Sequence, residues 1–308
     1  MLQFHSNGKL LLTGEYYVLE GAKALAIPTK FGQTLEVENR AIEAGETPSL
    51  QWKSYDVEGN VWLNATFNLI DLQILTAIGE GAERLQQILQ QARKQNPNFL
   101  QSKTNIEVKT KLQFPRNWGL GSSSTLISNI ARWANIDAFE LLENTFGGSG
   151  YDIACAQSDR AILYQKKPTL QFQKTDFHPP FHDQLYFVHL NKKQNSRDAI
   201  RYFYEQDSTT RQKNIEVMNG ITEDMLKTEH LFDFEIFLQM HELIVAKSLQ
   251  LKMVKDLYFA DYWGTVKSLG AWGGDFVLAT SRLSEEKTLA YFERKGFETI
   301  LRWEEMVF

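Results

Sequence analysis

A run of glycines and hydroxyl residues is the part of this sequence best suited to chemistry. Residues Gly119–Thr125 read Gly-Leu-Gly-Ser-Ser-Ser-Thr. The run follows the alternating segment Asn105–Phe114, which predicts a strand, and it precedes Leu126–Ala134, which predicts a helix. Glycines let the backbone approach an anion closely, and the first N–H groups of a helix bind phosphate. The run is therefore predicted to be a phosphate-binding loop.

Two widespread phosphate motifs do not fit this run. No Gly-Lys-Ser/Thr ends it, which excludes a Walker A loop, and the glycine spacing is not that of a dinucleotide-binding fingerprint. From the residues alone, an ordinary turn with a serine cap on the following helix remains the alternative.

The composition bounds the class of protein. The 308 residues carry a formal net charge of −5, which argues against a general nucleic-acid surface. No apolar stretch is long enough to span a bilayer, and the N-terminus lacks the pattern of a secretory leader, so neither a membrane nor an exported location is expected. The single cysteine, Cys155, excludes an intrachain disulfide and is predicted to be a buried thiol in the reducing cytoplasm.

The order of the predicted elements indicates an α+β fold, because strands and helices alternate in unequal blocks. Apolar spacing predicts a helix over Asp71–Gln95, which Gly79 and Gly81 would bend or break. The proline-containing segment Thr175–Asp183 has no periodicity and is predicted to connect two domains, residues 1–175 and 184–308. The remaining predicted elements are a hairpin (Arg160–Gln165 and Thr169–Lys174), a strand (Gln184–Leu190), helices capped by Asp137 and Ser196, the helices Thr209–Thr228, Phe232–Leu251 and Glu285–Lys295, and the strands Asp275–Ser281 and Phe297–Trp303.

Together with the loop, three further segments resemble the sequence motifs of the GHMP kinases, and they occur in the same order. Asn7–Gly21 resembles the first motif, Pro115–Trp118 plus the loop resembles the ATP-binding second motif, and Lys267–Asp275 resembles the glycine-rich third motif. Ser149–Ala154 resembles the segment that carries the catalytic aspartate of mevalonate and phosphomevalonate kinases. The resemblance spans nearly the whole chain and is nearest the small bacterial branch marked by Gly-Tyr-Asp-Ile-Ala.

This resemblance implies an N-terminal domain like ribosomal protein S5 domain 2, a ferredoxin-like GHMP C-terminal domain, and ATP and substrate in the cleft between them. It also implies Mg²⁺-dependent phosphoryl transfer from ATP to a small-molecule acceptor, with mevalonate or phosphomevalonate as the expected acceptor. An ATP-dependent decarboxylase of the mevalonate-diphosphate type is one alternative, and a nucleotide-binding protein without turnover is another. The protein is expected to be a monomer or a homodimer.

The resemblance also assigns roles to individual residues. Asp152 matches the catalytic carboxylate, and Lys9 is placed beside it, where it would help to hold the acceptor hydroxyl. From the residues alone, Asp152 could be a first-turn aspartate that complements a helix dipole, and Lys9 a solvated lysine. Ser123 matches the metal-ligating serine. The residues expected to bind the nucleotide phosphates are Gly119, Leu120, Gly121, Ser122, Ser123 and Ser124.

A second metal ligand is harder to place. The metal-binding glutamate of mevalonate kinases precedes the catalytic aspartate by about three helical turns, and counting back from Asp152 reaches Leu141. Glu140 and Glu143 are both a small register shift away, and Glu143 is taken as the candidate. The softer substrate candidates are Glu15, Ser196, Gly270, Gly273 and Gly274.

Two residues of the third motif depart from the family pattern. Trp272 and Asp275 stand where glycine is usual. Asp275 adds negative charge beside a predicted phosphate site. This either argues against phosphate contact by the turn or indicates a role in orienting a metal or substrate.

Overall fold

The computed structural model describes residues 1–42, 46–192, 196–270, 272 and 274–308, with the main chain alone for 196–200. Its mixture of helices and sheets confirms the predicted α+β class. The strands in this part of the chain are β1 (Leu2–Leu11), β2 (Ala24–Arg40), β3 (Ser49–Tyr55), β4 (Val61–Asn68), β5 (Ile74–Gly79), β6 (Asn105–Leu112), β7 (Ile162–Gln165), β8 (Gln171–Lys174), β9 (Leu185–His189), β10 (Val266–Ser268), β11 (Phe276–Thr280) and β12 (Ile300–Arg302). The helices are α1 (Ala82–Gln95), α2 (Ser122–Ala134), α3 (Ala138–Glu143), α4 (Tyr151–Ala156), α5 (Ser196–Glu205), α6 (Ser208–Lys227), α7 (Leu231–Leu249), α8 (Val254–Tyr258), α9 (Glu285–Arg294) and α10 (Trp303–Met306).

The chain folds into two compact units, each assembled from several stretches of sequence. The first unit comprises Met1–Gly8, Phe31–Arg116 and Leu120–Gln157, and the second comprises Lys9–Lys30, Asn117–Gly119 and Ser158–Phe308. The long strands β1 and β2 therefore contribute residues to both units. The predicted division into 1–175 and 184–308 stays a prediction.

The first unit is a sheet covered by helices. The strand order is β5-β4-β3-β6-β2, with β1 beside β2, and the β3–β6 pair is parallel. Strand β3 alternates strictly, so Leu50 and Trp52 face the interior and their neighbours do not. The buried faces of α1 and α2, which include Leu89 and Ile127, join the same core. This packing fixes α2, whose N-terminus carries the predicted phosphate loop.

The second unit contains an antiparallel four-stranded sheet in the order β10-β11-β9-β12. Numbered along the chain, this order is 2-3-1-4, and helices separate the first strand from the second and the third from the fourth. That is the ferredoxin-like arrangement predicted for the C-terminal domain. All residues of β9 and β11 are buried, as expected of its central strands. The hairpin β7–β8 also belongs to this unit and pairs with the start of β2.

The predicted helix over Asp71–Gln95 is wrong in its first part. Residues Ile74–Gly79 form β5, an edge strand paired with β4, and the helix α1 begins only at Ala82. Leu75 and Ile78 are exposed on this strand, and their spacing imitates one face of a helix. The glycines mark the true boundary, because Gly81, at φ +99°, is the N-cap of α1.

Other predicted elements are confirmed within a few residues. Asp137 caps α3 by accepting hydrogen bonds from the main-chain nitrogens of Phe139 and Glu140. The predicted hairpin and the predicted C-terminal strands and helices are present. Tyr17–Glu20 forms a short 3₁₀ helix. Cys155 is buried, as predicted.

Across the described ranges, no helix combines the length and apolar character needed to cross a bilayer.

Candidate active site

The glycine-serine run forms the N-terminus of α2 in the first unit. Gly121 is the N-cap at φ +89°, and no side chain caps the helix, so the alternative of a serine cap is not what the structure contains. Helical bonding begins with Thr125 N, which donates to Gly121 O at 3.0 Å. The N–H groups of the preceding turn have no partner within the helix, and they carry the positive end of its dipole. Ser123 is exposed beside them. The site is suited to an anion.

Asp152 is held against this loop by a side-chain hydrogen bond. Ser124 Oγ donates to Asp152 Oδ2 in a short contact, and the main-chain nitrogen of Ile153 donates to Oδ1 at 3.1 Å. Asp152 is half-buried in the first turn of α4, whose N-cap is Gly150 at φ +87°. If Asp152 only complemented the dipole of α4, the hydrogen bond from Ile153 N would be expected. That role does not explain the hydrogen bond from Ser124 of α2. The structure therefore brings the predicted catalytic carboxylate to the residue next to Ser123.

Lys9 lies in the second unit, where it meets the first glycine of the loop. Its Nζ donates to Gly119 O at 2.7 Å. A Cβ atom on Gly270 would lie 4.0 Å from the same Nζ, so the third motif also approaches Lys9. Residues of all three motifs thus converge around Gly119. Lys9 and Asp152 belong to different units, and their predicted pairing stays a prediction.

Glu15 is buried in a cluster of charged groups in the second unit. It forms an ion pair with Lys267 through Oε1, in a short contact, and its Oε2 is 2.9 Å from His241 Nε2. Lys267 also donates to the main-chain oxygen of Ser268 at 2.7 Å. Burial alone would raise the pKa of Glu15, but the neighbouring ammonium group of Lys267 outweighs it and lowers that pKa. Glu15 is therefore an anion that joins the first motif to the third.

Two further titratable residues of α7 complete this cluster. The main-chain nitrogen of Gly14 donates to His241 Nε2 at 2.9 Å, so that nitrogen carries no proton. Burial and the neighbouring Lys267 lower the pKa of His241, which agrees with a neutral imidazole. Glu242 accepts hydrogen bonds from Ser268 N and Oγ at 3.2 and 3.1 Å, and burial raises its pKa to about 7. Glu242 is thus the member of the cluster that titrates near neutrality.

Trp272 packs into the core of the second unit. Its side chain is buried in an aromatic core of the second unit with Tyr16, Tyr17 and Phe203. Its main-chain nitrogen donates to Tyr16 OH at 3.3 Å. The indole ring therefore anchors the turn in this core, at a position where the motif that this segment resembles has glycine.

A cavity of about 420 Å³ opens beside the third motif within the second unit. Lys192 and Lys252 contribute cations to its lining, and Ser268 contributes a hydroxyl. Lys192 Nζ donates to Tyr258 OH at 3.1 Å, which fixes one of these cations. The rest of the lining is mainly apolar: Leu251, Val254, Leu257, Tyr258 and Trp272. Such a lining suits a small anion with an aliphatic body.

The other predicted site residues lie apart from these contacts or outside the described chain. Leu120 has a fully buried side chain, so only its main chain could contact a ligand. Glu143 is exposed at the end of α3, whereas Leu141 is buried. Ser196 begins α5, with its side chain outside the described part, and Gly273 is also outside it. Of the third-motif glycines, Gly270 has φ +71° and Gly274 is buried. No group of three or more His, Cys, Asp or Glu side chains in the described ranges could hold a metal.

Three functional contacts were not anticipated from the sequence. Ser124 was expected to bind phosphate, but its hydroxyl is directed to Asp152. The other two contacts are those of His241 and Glu242, which are adjacent on α7. His241 lies at a position that fits the apolar spacing of this helix. A histidine within an apolar helical face was the available signal that a buried polar cluster lies there.

No protein-family model matches the sequence, and no curated protein is significantly similar to it in sequence. Solved structures do match its fold. The mevalonate kinase of Methanococcus jannaschii superposes with a TM-score of 0.73 at 13% identity, over 97% of this chain and 96% of that one. The Streptococcus pneumoniae phosphomevalonate kinase, in complex with phosphomevalonate and AMPPNP, gives a TM-score of 0.70 at 17% identity, over 98% and 100%.

A sugar kinase shares the same architecture. The Lactococcus lactis galactokinase, complexed with galactose, superposes with a TM-score of 0.67 at 14% identity, over 96% of this chain and 88% of that one. The fold predicted from the motif resemblance, that of the GHMP kinases, is therefore confirmed over nearly the whole chain. At these identities, the likeness concerns the fold.

Proposed function

We propose that this protein transfers the γ-phosphoryl group of ATP to a small-molecule acceptor. The observation that carries the proposal is the hydrogen bond from Ser124 to Asp152, which holds a carboxylate at the N-terminus of α2. Phosphoryl transfer needs an anion cradle together with a group that accepts or orients the attacking hydroxyl. The fold shared with small-molecule kinases supports the same conclusion.

Each part of the loop has a distinct task in this proposal. The N–H groups at the start of α2 bind phosphate oxygens, and the glycines allow the close approach. Asp152 accepts the proton of the acceptor hydroxyl or orients that hydroxyl, while Ser124 and Ile153 N keep its oxygens in place. Lys9 is positioned at Gly119 and contributes positive charge to the reacting groups.

The oxygen donors present fit a magnesium ion. The hydroxyl of Ser123 is exposed at the anion-binding end of α2, and Glu143 presents an exposed carboxylate on α3 of the same unit. Hydroxyl, carboxylate and phosphate oxygens are the ligands that Mg²⁺ prefers. Ser123 and Glu143 would hold the ion, and the chemistry it would supply there is neutralisation of charge on the transferring phosphoryl group.

The acceptor is proposed to be mevalonate or phosphomevalonate. The Gly-Tyr-Asp-Ile-Ala segment resembles kinases of these substrates most closely, and two of the structures with the same fold are named for them. The cavity lined by Lys192, Lys252 and apolar side chains suits an aliphatic acid or phosphate better than a neutral sugar. The galactokinase with the same fold keeps sugars in the panel of acceptors to test.

The decisive experiment is a screen that couples ADP formation to a panel of acceptors: mevalonate, phosphomevalonate, homoserine and sugars. ADP release that requires one acceptor, together with the phosphorylated product, supports the proposal. Release of carbon dioxide with ATP consumption would instead identify a decarboxylase. ATP binding without turnover on any acceptor would favour a nucleotide-binding role.

The variant Asp152→Asn tests the carboxylate in the same assay. It keeps the shape and removes the charge, so ATP affinity should stay nearly unchanged while kcat falls by roughly 10²–10⁴-fold. Wild-type kcat in this variant would contradict the assigned role. A phosphate acceptor attacks already ionised, so a mild defect would point to phosphomevalonate rather than mevalonate.

A further inference from the structure

The helix α7 of the second unit reverses the usual arrangement of polar and apolar residues. Its buried side includes Glu235, His241 and Glu242, and Glu242 accepts a hydrogen bond from Ser268 of β10. The large apolar side chains exposed on its other side are Phe232 (65% exposed), Ile236 (38%), Met240 (42%) and Leu243 (42%). A helix that faced only water would present its charged residues on that side.

These four exposed side chains form one row, called here the α7 row. Their spacing of four, four and three residues keeps them within about 80° of one another around the helix axis. Gln239 lies beside the row, and its amide nitrogen donates to Thr265 Oγ1 at 2.8 Å within the chain. Four large apolar side chains expose on the order of a few hundred Å², a patch size that is often functional in monomers. The α7 row is therefore a candidate contact surface.

The two ends of the α7 row carry opposite charges. Asp233 is half-buried in the first turn of α7, and Lys247 is exposed in its last turn. The acidic residues between them, Glu235 and Glu242, are buried. A second copy of this helix, laid antiparallel, would bring each lysine to the aspartate of the other copy and align the two helix dipoles favourably. The charges of the row therefore match a second copy of the same surface.

We propose that the α7 row is the interface of a two-fold homodimer, in which α7 packs antiparallel against its own copy. Met240 is midway between Asp233 and Lys247, so this pairing puts Met240 on the two-fold axis, against the same residue of the other copy. A single pair of helices buries less than the roughly 1,600 Å² of a standard interface, so the dimer should be weak. The inference is independent of the proposed kinase function, to which no residue of the row is assigned.

Sedimentation velocity of the full chain over a range of concentrations tests the interface. The wild type should pass from monomer to dimer as the concentration rises. Met240→Glu should stay monomeric throughout, because it places two carboxylates against each other on the axis. Leu283→Glu is the matched control, since Leu283 is an apolar residue of the same unit with 43% of its surface exposed. Both variants change exposed positions and should keep the wild-type Tm.

Charge reversal tests the antiparallel register. Lys247→Glu and Asp233→Lys should each weaken the dimer by roughly tenfold, because each turns two attractive contacts into repulsive ones. An equal mixture of the two variants should associate as strongly as the wild type, since both contacts of the mixed dimer again join opposite charges. In a parallel dimer, by contrast, each variant alone would associate as the wild type does.

A cysteine at the axis tests the position of Met240. The single native cysteine, Cys155, is buried and does not interfere. Under mild oxidation, Met240→Cys should form a disulfide-linked dimer, whereas Glu286→Cys, at an exposed position of α9, should not. Equal cross-linking of the two variants would contradict the proposed axis.

Three further results would overturn the proposal. A wild type that stays monomeric at every concentration would assign the α7 row to a different partner. Unchanged dimerisation of Met240→Glu would place the interface elsewhere on the molecule. Single charge variants that associate as the wild type does would exclude the antiparallel pairing. None of these results bears on phosphoryl transfer, which the acceptor screen tests separately.

Discussion

Glu15 and Lys267 form a buried ion pair that joins the first sequence motif to the third within the second unit. Both side chains have almost no exposed surface. The ammonium group of Lys267 also donates a second hydrogen bond, to Ser268 O. Glu15 also lies between two residues with positive φ, Gly14 and Tyr16. The ion pair therefore holds a strained turn in place.

Breaking this pair on one side should be strongly destabilising. Lys267→Met and Glu15→Gln each leave one buried group without its partner, and each should lower the free energy of unfolding by about 3–5 kcal/mol. The double variant removes both charges and should recover part of this loss. Urea unfolding of the four proteins measures the coupling.

The matched control is the partly exposed pair Lys23–Glu223 of the same unit. Lys23→Met should change the free energy of unfolding by about 0–1 kcal/mol. Additive losses in the double variant of the buried pair would show that Glu15 and Lys267 do not stabilise each other.

Glu242 should make stability fall as the pH rises towards neutrality. Its pKa is raised from the ordinary 4.5 to about 7 because the side chain is buried, with Lys267 and Glu15 as its charged neighbours. Between these values the unfolded chain is ionised and the folded chain is protonated, so unfolding releases a proton and becomes easier as the pH rises. The loss is complete above the folded pKa and amounts to on the order of 3 kcal/mol.

Glu242→Gln removes this titration. Relative to the wild type, the variant should gain stability steadily between pH 5 and pH 8 in urea unfolding measurements. Glu286→Gln, at an exposed position of α9, is the control. Its free energy of unfolding should change with pH in parallel with that of the wild type. Parallel curves for Glu242→Gln as well would mean that Glu242 is ionised throughout.

The sequence predicted the parts of the site that depend on local pattern. A strand, two glycines, three serines and a helix predict a glycine-serine loop at the N-terminus of a helix, and α2 does follow such a loop, although it begins at Ser122 rather than at the predicted Leu126. The α+β class and the C-terminal strand-helix-strand order are likewise local signals. The edge strand β5 was missed because its exposed Leu75 and Ile78 follow a helical spacing, and only pairing with β4 distinguishes the two structures.

Contacts between distant residues could not be predicted in the same way. Nothing in the sequence indicates that the Ser124 hydroxyl donates to Asp152 and not to a ligand. The contact between the Asp275 carboxylate and Gly119 is equally absent from the sequence pattern. The burial of Lys267 and Glu242 could not be predicted either, because lysine and glutamate side chains are usually exposed. Burial and the packing of α7 against β10 determine the charged cluster, and both are tertiary properties.

Ser123→Ala should separate a ligand role from a structural one. The hydroxyl is exposed and caps no helix, so its loss should leave Tm unchanged. If Ser123 holds the metal, kcat at saturating ATP should fall by about 10²–10³-fold, the usual cost of one transition-state contact. Wild-type turnover would show that the assigned role is wrong, and a large fall in Tm would favour a structural role instead.

Ser124→Ala tests whether the hydrogen bond to Asp152 positions the carboxylate. A hydrogen bond to a charged group contributes about 1.5–3 kcal/mol, so kcat should fall by roughly 10–150-fold if the bond is needed for the reactive geometry. AMPPNP affinity should stay close to that of the wild type, because the N–H groups of α2 remain. Ser128→Ala is the matched control: it lies one turn further along α2, is buried, and accepts from Ser6 Oγ at 2.8 Å. Both variants should lose similar stability, but only Ser124→Ala should lose turnover. Equal kcat in the two variants would mean that Asp152 finds its position without Ser124.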